Sequence, residues 1–458
     1  MSKDRELNVG SPLTTRRAAL GATAAMTAGL LAEKALSPDS AHAEGVTSVD
    51  GKTGAVTGVL TGLVAAPSTA STEAEKATAN TTAIQNAINA AEGPIYLQKG
   101  AYIVNKLTLK AGTQLIGAGI EDTVLKLKAG VKDNLLESEG FLKLTEEYEK
   151  GEHTNKAFGP AHISVANLTL DGNKANNASP ETYKGACIAL NACSWIVENV
   201  HCRNAGASGF VSYCSEEALA SEKTEGSYES VVRGVTCYFN TNSGFVFEGP
   251  SSSRISDLHC FNNGSGSPGI KACGTTSYWT NCRSWGFQKW AWEIQGNEHL
   301  VNCAAEEGIE GSLYINGGHV QWIGGFIYSQ GEEPKVALIT VGHSGETPEQ
   351  VVMEGFRSSY KAGKVVSLNL EFVGKNCRFS GLVSHTPAEA AIKLPGSIPE
   401  GVDLNLLCCG GTTTKPIRRG PTNGEEGFFG HAAVKQPAKP EATAAALLKV
   451  LEELGLVA

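Results

Sequence analysis

The chain has 458 residues, with 53 glycines and 12 cysteines, and charged residues make up only 19% of it. Its net charge of -9 argues against a basic surface that would bind nucleic acid, so we expect a neutral or weakly charged partner. Length alone does not fix the number of domains, because elongated all-β folds of this size can form one unit.

Residues 1–43 predict an export signal rather than a folded element. Arg16 and Arg17 are followed by an Ala, Gly and Leu run from Ala18 to Ala32 and by Ala41-His42-Ala43, which together resemble a twin-arginine signal peptide. A disordered N-terminus is the alternative, because Ala19 stands where such signals prefer a bulky apolar residue. We expect a secreted or cell-surface protein. No later apolar run reaches the ~20 residues that stable membrane insertion requires.

A flexible linker is predicted for residues 44–79, and an amphipathic helix begins near Asn80. Within this helix the apolar residues recur at helical spacing and form one stripe. The stripe consists of Ile84, Ala87, Ile88 and Ala91. Such a helix would cover the open edge of a first β coil, which is otherwise prone to aggregate.

Short β segments repeat through the middle of the chain. Each begins with an apolar residue, at Val165, Val197, Val232 and Ile255, and runs into a polar turn. A cysteine recurs in the same line at intervals of 35, 23, 22 and 21 residues, at Cys202, Cys237, Cys260, Cys282 and Cys303. Repeats of this length are typical of a solenoid in which each repeat forms one coil. The acidic, polar stretch from Ser215 to Ser227 accounts for the longer first interval as a loop.

The alternation of apolar and polar residues predicts which side chains face inward. We expect the five cysteines to stack in one inward column, with His201, Thr236, His259, Asn281 and Asn302 pointing outward. A buried thiol column is favoured over disulfides and over a zinc site, because a straight ladder fits neither geometry. The state of Cys408 and Cys409 is left open.

Polar turns and a second strand follow each cysteine strand. The turns contain Asn204, Asn240, Asn262 and Asn263, whose amides can bond from coil to coil at tight corners. The second strand opens at Gly209, Gly244 and Gly269. Its predicted inward residues are Phe210, Ser212, Phe245, Phe247, Ile270 and Ala272.

The run from Asn80 to Gly119 resembles the opening of the pectate-lyase superfamily. It combines the helix, a strand pair with the letters YLQKGAY and a glycine-punctuated coil, and the coil pattern continues to about Gly381. The resemblance implies an all-β chain with a right-handed parallel β-helix, which we place over residues 80–405, behind an N-terminal capping helix. A short C-terminal helix is predicted separately from the leucine spacing. The resemblance also implies a role on acidic or other polysaccharides.

Both ends resemble phage tail-spike and tail-fibre proteins. The segment VTSVDGKTGAVTG begins at Val46, and after an irregular tail over residues 406–440 a helix is predicted for 441–458. Leu447, Leu451 and Leu454 form a short heptad seam in that helix, which predicts either a homotrimer or packing on the solenoid itself.

The outward residues of the second strand offer one candidate site. Lys271 lies between coils that carry Glu248 and Glu293, so either glutamate is a candidate general acid or base. Lys271 is a candidate for steering a sugar acid or abstracting a proton. Tyr213, Trp292 and Tyr314 are candidate sugar-binding platforms. A solubilising Glu-Lys-Glu surface ladder is the alternative reading.

The remaining motifs give weaker evidence for a function than this candidate site does. The chain lacks the Asp-Asp, Gly-His-Gly and Arg-x-Lys set of pectin hydrolases, and nothing in the sequence predicts a metal or a cofactor. The turns at His319 and His343 give little support for catalysis. Core and surface positions are equally expected for the four clustered tryptophans, namely Trp279, Trp285, Trp290 and Trp292.

Two functions remain open from the sequence. One is lyase-like or hydrolase-like cleavage of an acidic glycan, with lyase preferred. The other is a non-catalytic tail-spike-like or cell-surface protein that binds glycans.

Overall fold

The computed structural model describes residues 48–49, 52–53, 63–64, 67–90, 93–149, 160–179, 184–213, 229–274, 276–329, 334–360, 366–384, 392–409 and 417–419. The chain divides into two units, Met1–Leu60 and Thr61–Ala458. In the first unit, Ser48–Val49 and Lys52–Thr53 form an antiparallel hairpin. The predicted export signal at 1–43 and the predicted C-terminal helix at 441–458 lie outside the described residues.

The second unit is a right-handed parallel β-helix, which confirms the predicted fold. Every coil contributes parallel strands to three sheets that surround one apolar core. Sheet 1 contains Leu63–Val64, Ile95–Leu97, Gln114–Ile116, Val231–Arg233, Ser253–Ser256, Ser277–Thr280, Glu298–Val301 and His319–Ile323. Sheet 2 contains Gly100–Val104, Thr123–Leu127, Thr236–Tyr238, His259–Phe261, Arg283–Trp285, Ala304–Glu306 and Phe326–Ser329.

Five longer strands run through both of these sheets. They are Ser164–Asp171, Ile196–Arg203, Gln350–Tyr360, Arg378–Ser384 and Asp403–Cys409. Sheet 3 contains Leu107–Leu109, Leu136–Ser138, Ile188–Asn191, Phe210–Tyr213, Phe245–Glu248, Ile270–Ala272, Trp290–Ile294, Gly311–Ile315, Ala337–Val341, Val366–Asn369, Ile392–Leu394 and Ile417–Arg419.

Strand pairing extends beyond the predicted solenoid boundaries at both ends. Leu63–Val64 pairs with the strand Ile95–Leu97, and Ile417–Arg419 pairs with Ile392–Leu394. The parallel sheets therefore include strands before residue 80 and after residue 405.

Three helices accompany the sheets in the described part of the chain: α1 (Glu73–Ala90), α2 (Phe141–Glu149) and α3 (Lys174–Asn177). Helix α1 begins seven residues before the predicted start at Asn80. Its Ile84 and Ile88 are buried, and the Asn80 amide donates to the Ile103 carbonyl at 2.9 Å. Helix α1 thus covers the first coil, as predicted. None of the described helices combines the length and apolar composition that crossing a membrane requires.

The cysteine column differs from the prediction. Cys202 pairs with Cys237 and Cys237 with Cys260, but Cys260 pairs with Ser284. Cys282 and Cys303 therefore lie in the neighbouring inward column, two residues earlier along the strand. All five cysteines are free and buried, so the expectation of core thiols is confirmed although the single column is wrong.

The residue at the corner between sheets 1 and 2 sets the register. This corner has a left-handed backbone at Asn199, Gly234, Asp257, Asn281 and Asn302, with φ between 50° and 61°. Asn281 and Asn302 are therefore corner residues, and Arg283 and Ala304 take the predicted outward places in the column of His259. Because side chains alternate along a strand, a shift of two residues keeps a cysteine inward. The repeat of cysteines alone could not reveal that shift.

The predicted amide bonds between coils are present at the next corner. Asn240 donates from Nδ2 to Oδ1 of Asn263 at 2.9 Å, and Asn263 donates to the Cys237 carbonyl at 3.1 Å. A Cβ on Gly244 would lie 2.7 Å from Nδ2 of Asn263. Glycine opens this strand because the asparagine side chain fills the space beside it.

Candidate functional site

The outward side of sheet 3 brings together the three residues predicted for catalysis. Lys271 lies directly opposite Glu293 in the strand register, and Glu248 ends the sheet 3 strand of the preceding coil. Their orientation follows from their neighbours, because Ile270, Ala272, Trp292 and Ile294 are all buried inward. Alternation along each strand then turns Lys271 and Glu293 toward solvent.

Lys271 forms an ion pair with Glu248, with Nζ 3.3 Å from Oε1. Burial alone would lower the pKa of Lys271, but nearby Cys273, Glu248 and Glu293 raise it, and the net shift is upward. The side chain is therefore an ammonium ion at neutral pH. This protonation state does not suit the predicted role of proton abstraction, whereas it suits holding a carboxylate.

Glu293 has a different environment from Glu248. Its Oε1 accepts a hydrogen bond from Nε2 of Gln295 at 2.8 Å, and Gln295 also accepts one from the thiol of Cys273 at 3.3 Å. Burial raises the pKa of Glu293, although Lys271 and Lys289 act in the opposite direction. A half-buried carboxyl with a raised pKa is suited to donating a proton.

A cluster of aromatic and acidic side chains lies at the end of this surface that follows Glu293 in coil order. Tyr314 stacks on Trp290 with ring centroids 4.9 Å apart, and its ring lies 6.2 Å from that of His343. Nε2 of His343 is 2.8 Å from a carboxylate oxygen of Glu346. Burial raises the pKa of Tyr314 to about 12, so its hydroxyl remains protonated.

The sequence did not predict a role for His343 and Glu346. Both lie in a turn that follows the strand Ala337–Val341. Gly342 follows that strand as Asn316 follows Gly311–Ile315 and as Gln295 follows Trp290–Ile294. Aligning these strand ends would have placed the turn beside Tyr314, so a signal was present.

Two of the residues predicted to stack on sugar rings, Tyr213 and Trp292, do not lie on the open surface. Tyr213 is only 6% exposed and packs against Phe141 of helix α2, with ring centroids 6.0 Å apart. It therefore forms part of the wall at the near end of the surface rather than an open platform. Trp292 is fully buried, and its Nε1 donates to the Ala304 carbonyl at 2.9 Å. It belongs to the core and leaves the candidate site.

The sequence left open whether the other tryptophans lie in the core or on the surface, and the structure shows both positions. Trp279 is fully buried and Trp290 nearly so, whereas Trp285 is half-buried on the outward side of sheet 2. Tyr314 is thus the one of the three predicted platforms that keeps a half-exposed ring. Within the described residues, no three His, Cys, Asp or Glu side chains converge as a metal site would require.

The arrangement is a stretch of outward side chains bounded by helix α2 and by the turn that carries His343. Between these limits stand an ammonium, a paired carboxylate and a carboxyl with a raised pKa. Together they can bind hydroxyl or carboxylate groups and can donate and accept a proton on one side of a bound chain.

The solved structures that resemble the fold include an epimerase module and a phage protein. The A-module of Azotobacter vinelandii mannuronan C-5 epimerase AlgE4 has 18% sequence identity and a TM-score of 0.51, and the match covers 76% of this chain and 96% of the module. The pre-mature gene product 12 of bacteriophage phi29 has 14% identity and a TM-score of 0.52, covering 72% of this chain and 50% of the phage chain. No curated protein matches the chain by sequence.

A family model matches residues 70–298, half of the chain. This span includes helix α1, the first coils and the residues Glu248, Lys271 and Glu293. The family is described as Rhamnogalacturonase A/epimerase, pectate lyase-like. The chain belongs to this pectate lyase-like family of parallel β-helix proteins.

Proposed function

We propose that the chain hydrolyses a polysaccharide bound along the outward side of sheet 3. In this proposal Glu293 donates a proton to the leaving oxygen and Glu248 activates a water molecule. The observation that carries the proposal is the contrast between the two carboxyl groups, since Glu293 has a raised pKa and Glu248 is ion-paired with Lys271. Carboxyl groups in unlike environments can divide the acid and base roles in this way.

The spacing of the two glutamates supports an inverting reaction. Their backbones lie two coils apart and two positions apart along the strand, about 12 Å. Both interact electrostatically with Lys271 in the coil between them. Inverting enzymes have carboxyl groups about 6.5 to 9.5 Å apart, whereas retaining enzymes have them only about 5 Å apart.

Lyase-like or epimerase-like action on an acidic glycan is a second candidate. The Lys271 ammonium favours it, because this group could hold the carboxylate of a sugar acid. Against it, Glu248 already forms an ion pair with that cation, and Glu346 acts electrostatically on Glu293, so the carboxylates of this surface disfavour a polyanion. We therefore rank hydrolysis of a neutral or weakly charged glycan first.

The test is a screen of the purified protein against neutral and acidic polysaccharides. Hydrolysis produces new reducing ends without ultraviolet absorbance, whereas a lyase also produces an unsaturated, absorbing product. Glu293→Gln should lower the rate about 100-fold or more. Glu371→Gln is the matched control, because Glu371 forms a similar ion pair with Lys393 on the same sheet. Binding without either product would favour the non-catalytic, tail-spike-like alternative.

We also propose that residues 1–43 direct export and that residues 441–458 assemble a homotrimer. Both proposals rest on the sequence patterns alone. A reporter fused to residues 1–43 should lose export when Arg16 and Arg17 are both replaced by lysine. Sedimentation of the full chain and of a chain ending at residue 440 should show a trimer and a monomer.

A further inference from the structure

A second outward surface lies on sheet 2, in the same coils as the candidate site. Tyr238 pairs with Phe261, and Phe261 with Trp285, so the three rings form one aromatic column. Neighbouring ring centroids are 5.0 Å apart, and the ring planes differ by 9° and 12°. The rings cover one another's faces and form a rigid support.

Two further rings project where sheet 2 turns toward sheet 3. Phe239 is 45% exposed and Phe287 is 51% exposed, and their φ angles are 56° and 50°. Phe239 takes the corner position that Asn204 and Asn262 take in the coils on either side, with φ of 50° and 49°. Asparagine tolerates this backbone, whereas a bulky residue rarely adopts it. The fold therefore does not require a ring there, and an exposed, strained ring indicates a function.

The surroundings hold Phe239 in a fixed orientation. Its ring is nearly perpendicular to those of Tyr238 and Phe261, with interplanar angles of 72° and 80°. The ammonium of Lys174 donates a hydrogen bond to the Phe239 carbonyl. A ring fixed in this way loses little conformational freedom when a ligand stacks on it.

The two arginines beside the aromatic column are each paired with a carboxylate. Arg203 donates to Asp171 at 2.9 Å, and Arg283 makes two hydrogen bonds with Glu306 at 2.8 and 2.9 Å. The guanidinium of Arg283 also lies 5.8 Å from the Trp285 ring centroid. Paired charges offer little attraction to a phosphate backbone or an anionic membrane. They do leave hydrogen-bonding edges that suit sugar hydroxyls.

We infer that Phe239, which is supported by the aromatic column, and Phe287 form a stacking subsite for a neutral glycan. The two residues lie two coils apart, about 10 Å along the solenoid, so one short stretch of glycan can contact both rings. The apolar face of a pyranose ring stacks on an aromatic face, and the paired side chains beside it bond to the hydroxyls. This subsite binds glycan whether or not the surface around Glu293 cleaves it.

The experiment is native affinity electrophoresis of the full chain in gels that contain dextran, xylan, galactomannan, mixed-linkage β-glucan, pectin or alginate. At least one neutral polysaccharide should retard the wild-type protein. The double variant Phe239→Asn with Phe287→Asn should bind that polysaccharide about tenfold more weakly. Glu371→Gln, which alters an outward carboxylate paired with Lys393 beside sheet 3, should be retarded like the wild type.

Three controls make the result decisive. Phe239→Asn introduces the residue found at the flanking corners, so its thermal midpoint should not fall, and Phe239→Trp should retain binding. Tyr278→Asn removes a ring that is 47% exposed on sheet 1 and should leave retardation unchanged. Wild-type protein that no neutral polysaccharide retards would overturn the inference, as would equal retardation of the double variant or equal loss in Tyr278→Asn. A change of sedimentation coefficient in the double variant would instead identify the rings as a contact between copies of the chain.

Discussion

Glu293 and Lys271 are neighbours whose ionisation depends on each other. Burial raises the pKa of Glu293, and the Lys271 ammonium partly offsets this increase. A proton donor with a raised pKa keeps its proton at a higher pH than an ordinary glutamate does. If Glu293 is the acid, the rate should fall on the alkaline side of the profile as this proton is lost.

Lys271→Met should move that alkaline limb to higher pH. Removing the ammonium removes the charge that favours ionised Glu293, so the carboxyl keeps its proton longer. The measurement is kcat against pH for the wild type and the variant on the polysaccharide identified in the screen. An unmoved limb, or a shift to lower pH, would show that another group controls the rate.

Glu298 provides a prediction about stability. It is fully buried and accepts hydrogen bonds from the Gly274 amide at 2.8 Å and from Nε1 of Trp279 at 2.7 Å. Burial raises its pKa from an ordinary 4.5 to about 8. The folded chain therefore holds this proton more tightly than the unfolded chain does. The resulting stabilisation is complete below the ordinary pKa and is lost as the pH rises through the folded one.

The thermal midpoint should thus fall between pH 5 and about pH 8.5. The fall should be smaller in Glu298→Gln, because an amide does not titrate in this range. Glu306→Gln, which alters an outward carboxylate paired with Arg283, should keep the wild-type fall. Equal falls in both variants would assign the pH dependence to other groups.

At the scale of the element, the corner after sheet 2 depends on buried amides. Asn263 is 9% exposed and bonds to both Asn240 and the backbone of Cys237. Asn263→Ala would leave buried polar groups without partners and should lower the free energy of unfolding by about 1–3 kcal/mol. Chemical denaturation measures this change. The half-exposed Asn242 in the same corner provides the comparison, and an equally large effect of Asn242→Ala would contradict the role given to burial.

Helix α2 fixes where the open surface of sheet 3 begins. Its Phe141 is fully buried and forms a cluster with Ala189, Val211, Tyr213 and Val246. The sequence predicted Tyr213 as outward, which is correct, but not that a helix covers it. An outward residue is exposed only where no other element packs on the sheet. The sequence of a strand does not show whether another element packs on it.

At the scale of the whole molecule, stacking seals the thiols inside the solenoid. Seven cysteines are buried in the described residues, namely Cys187, Cys202, Cys237, Cys260, Cys282, Cys303 and Cys377. They should resist alkylation in the native chain and react as the coils around them open, since each side chain lies in the interior. Mass spectrometry after timed labelling measures this. Rapid native labelling of Cys237 or Cys260 would contradict a closed interior.

The fold could be predicted because coils repeat and each repeat buries the same kind of residue. Lys271, Glu248 and Glu293 could be placed on one surface for the same reason, since alternation and coil order suffice for residues on neighbouring strands. Trp292 is next to Glu293 in the sequence, but adjacent residues of a strand face opposite sides. Trp292 therefore faces inward while Glu293 faces outward. His343 and Glu346 lie in a turn after the strand, where side chains no longer alternate, so only the alignment of successive strand ends could have located them.

The step between Cys260 and Ser284 has a practical consequence for redesign. That coil advances 24 residues in sheet 2, and the next, from Arg283 to Ala304, advances 21, yet the inward positions stay apolar or small. Corner length is thus free to vary while the tube's interior is preserved. New recognition loops could be grafted into the exposed part of these corners, provided that buried corner amides such as Asn263 are kept.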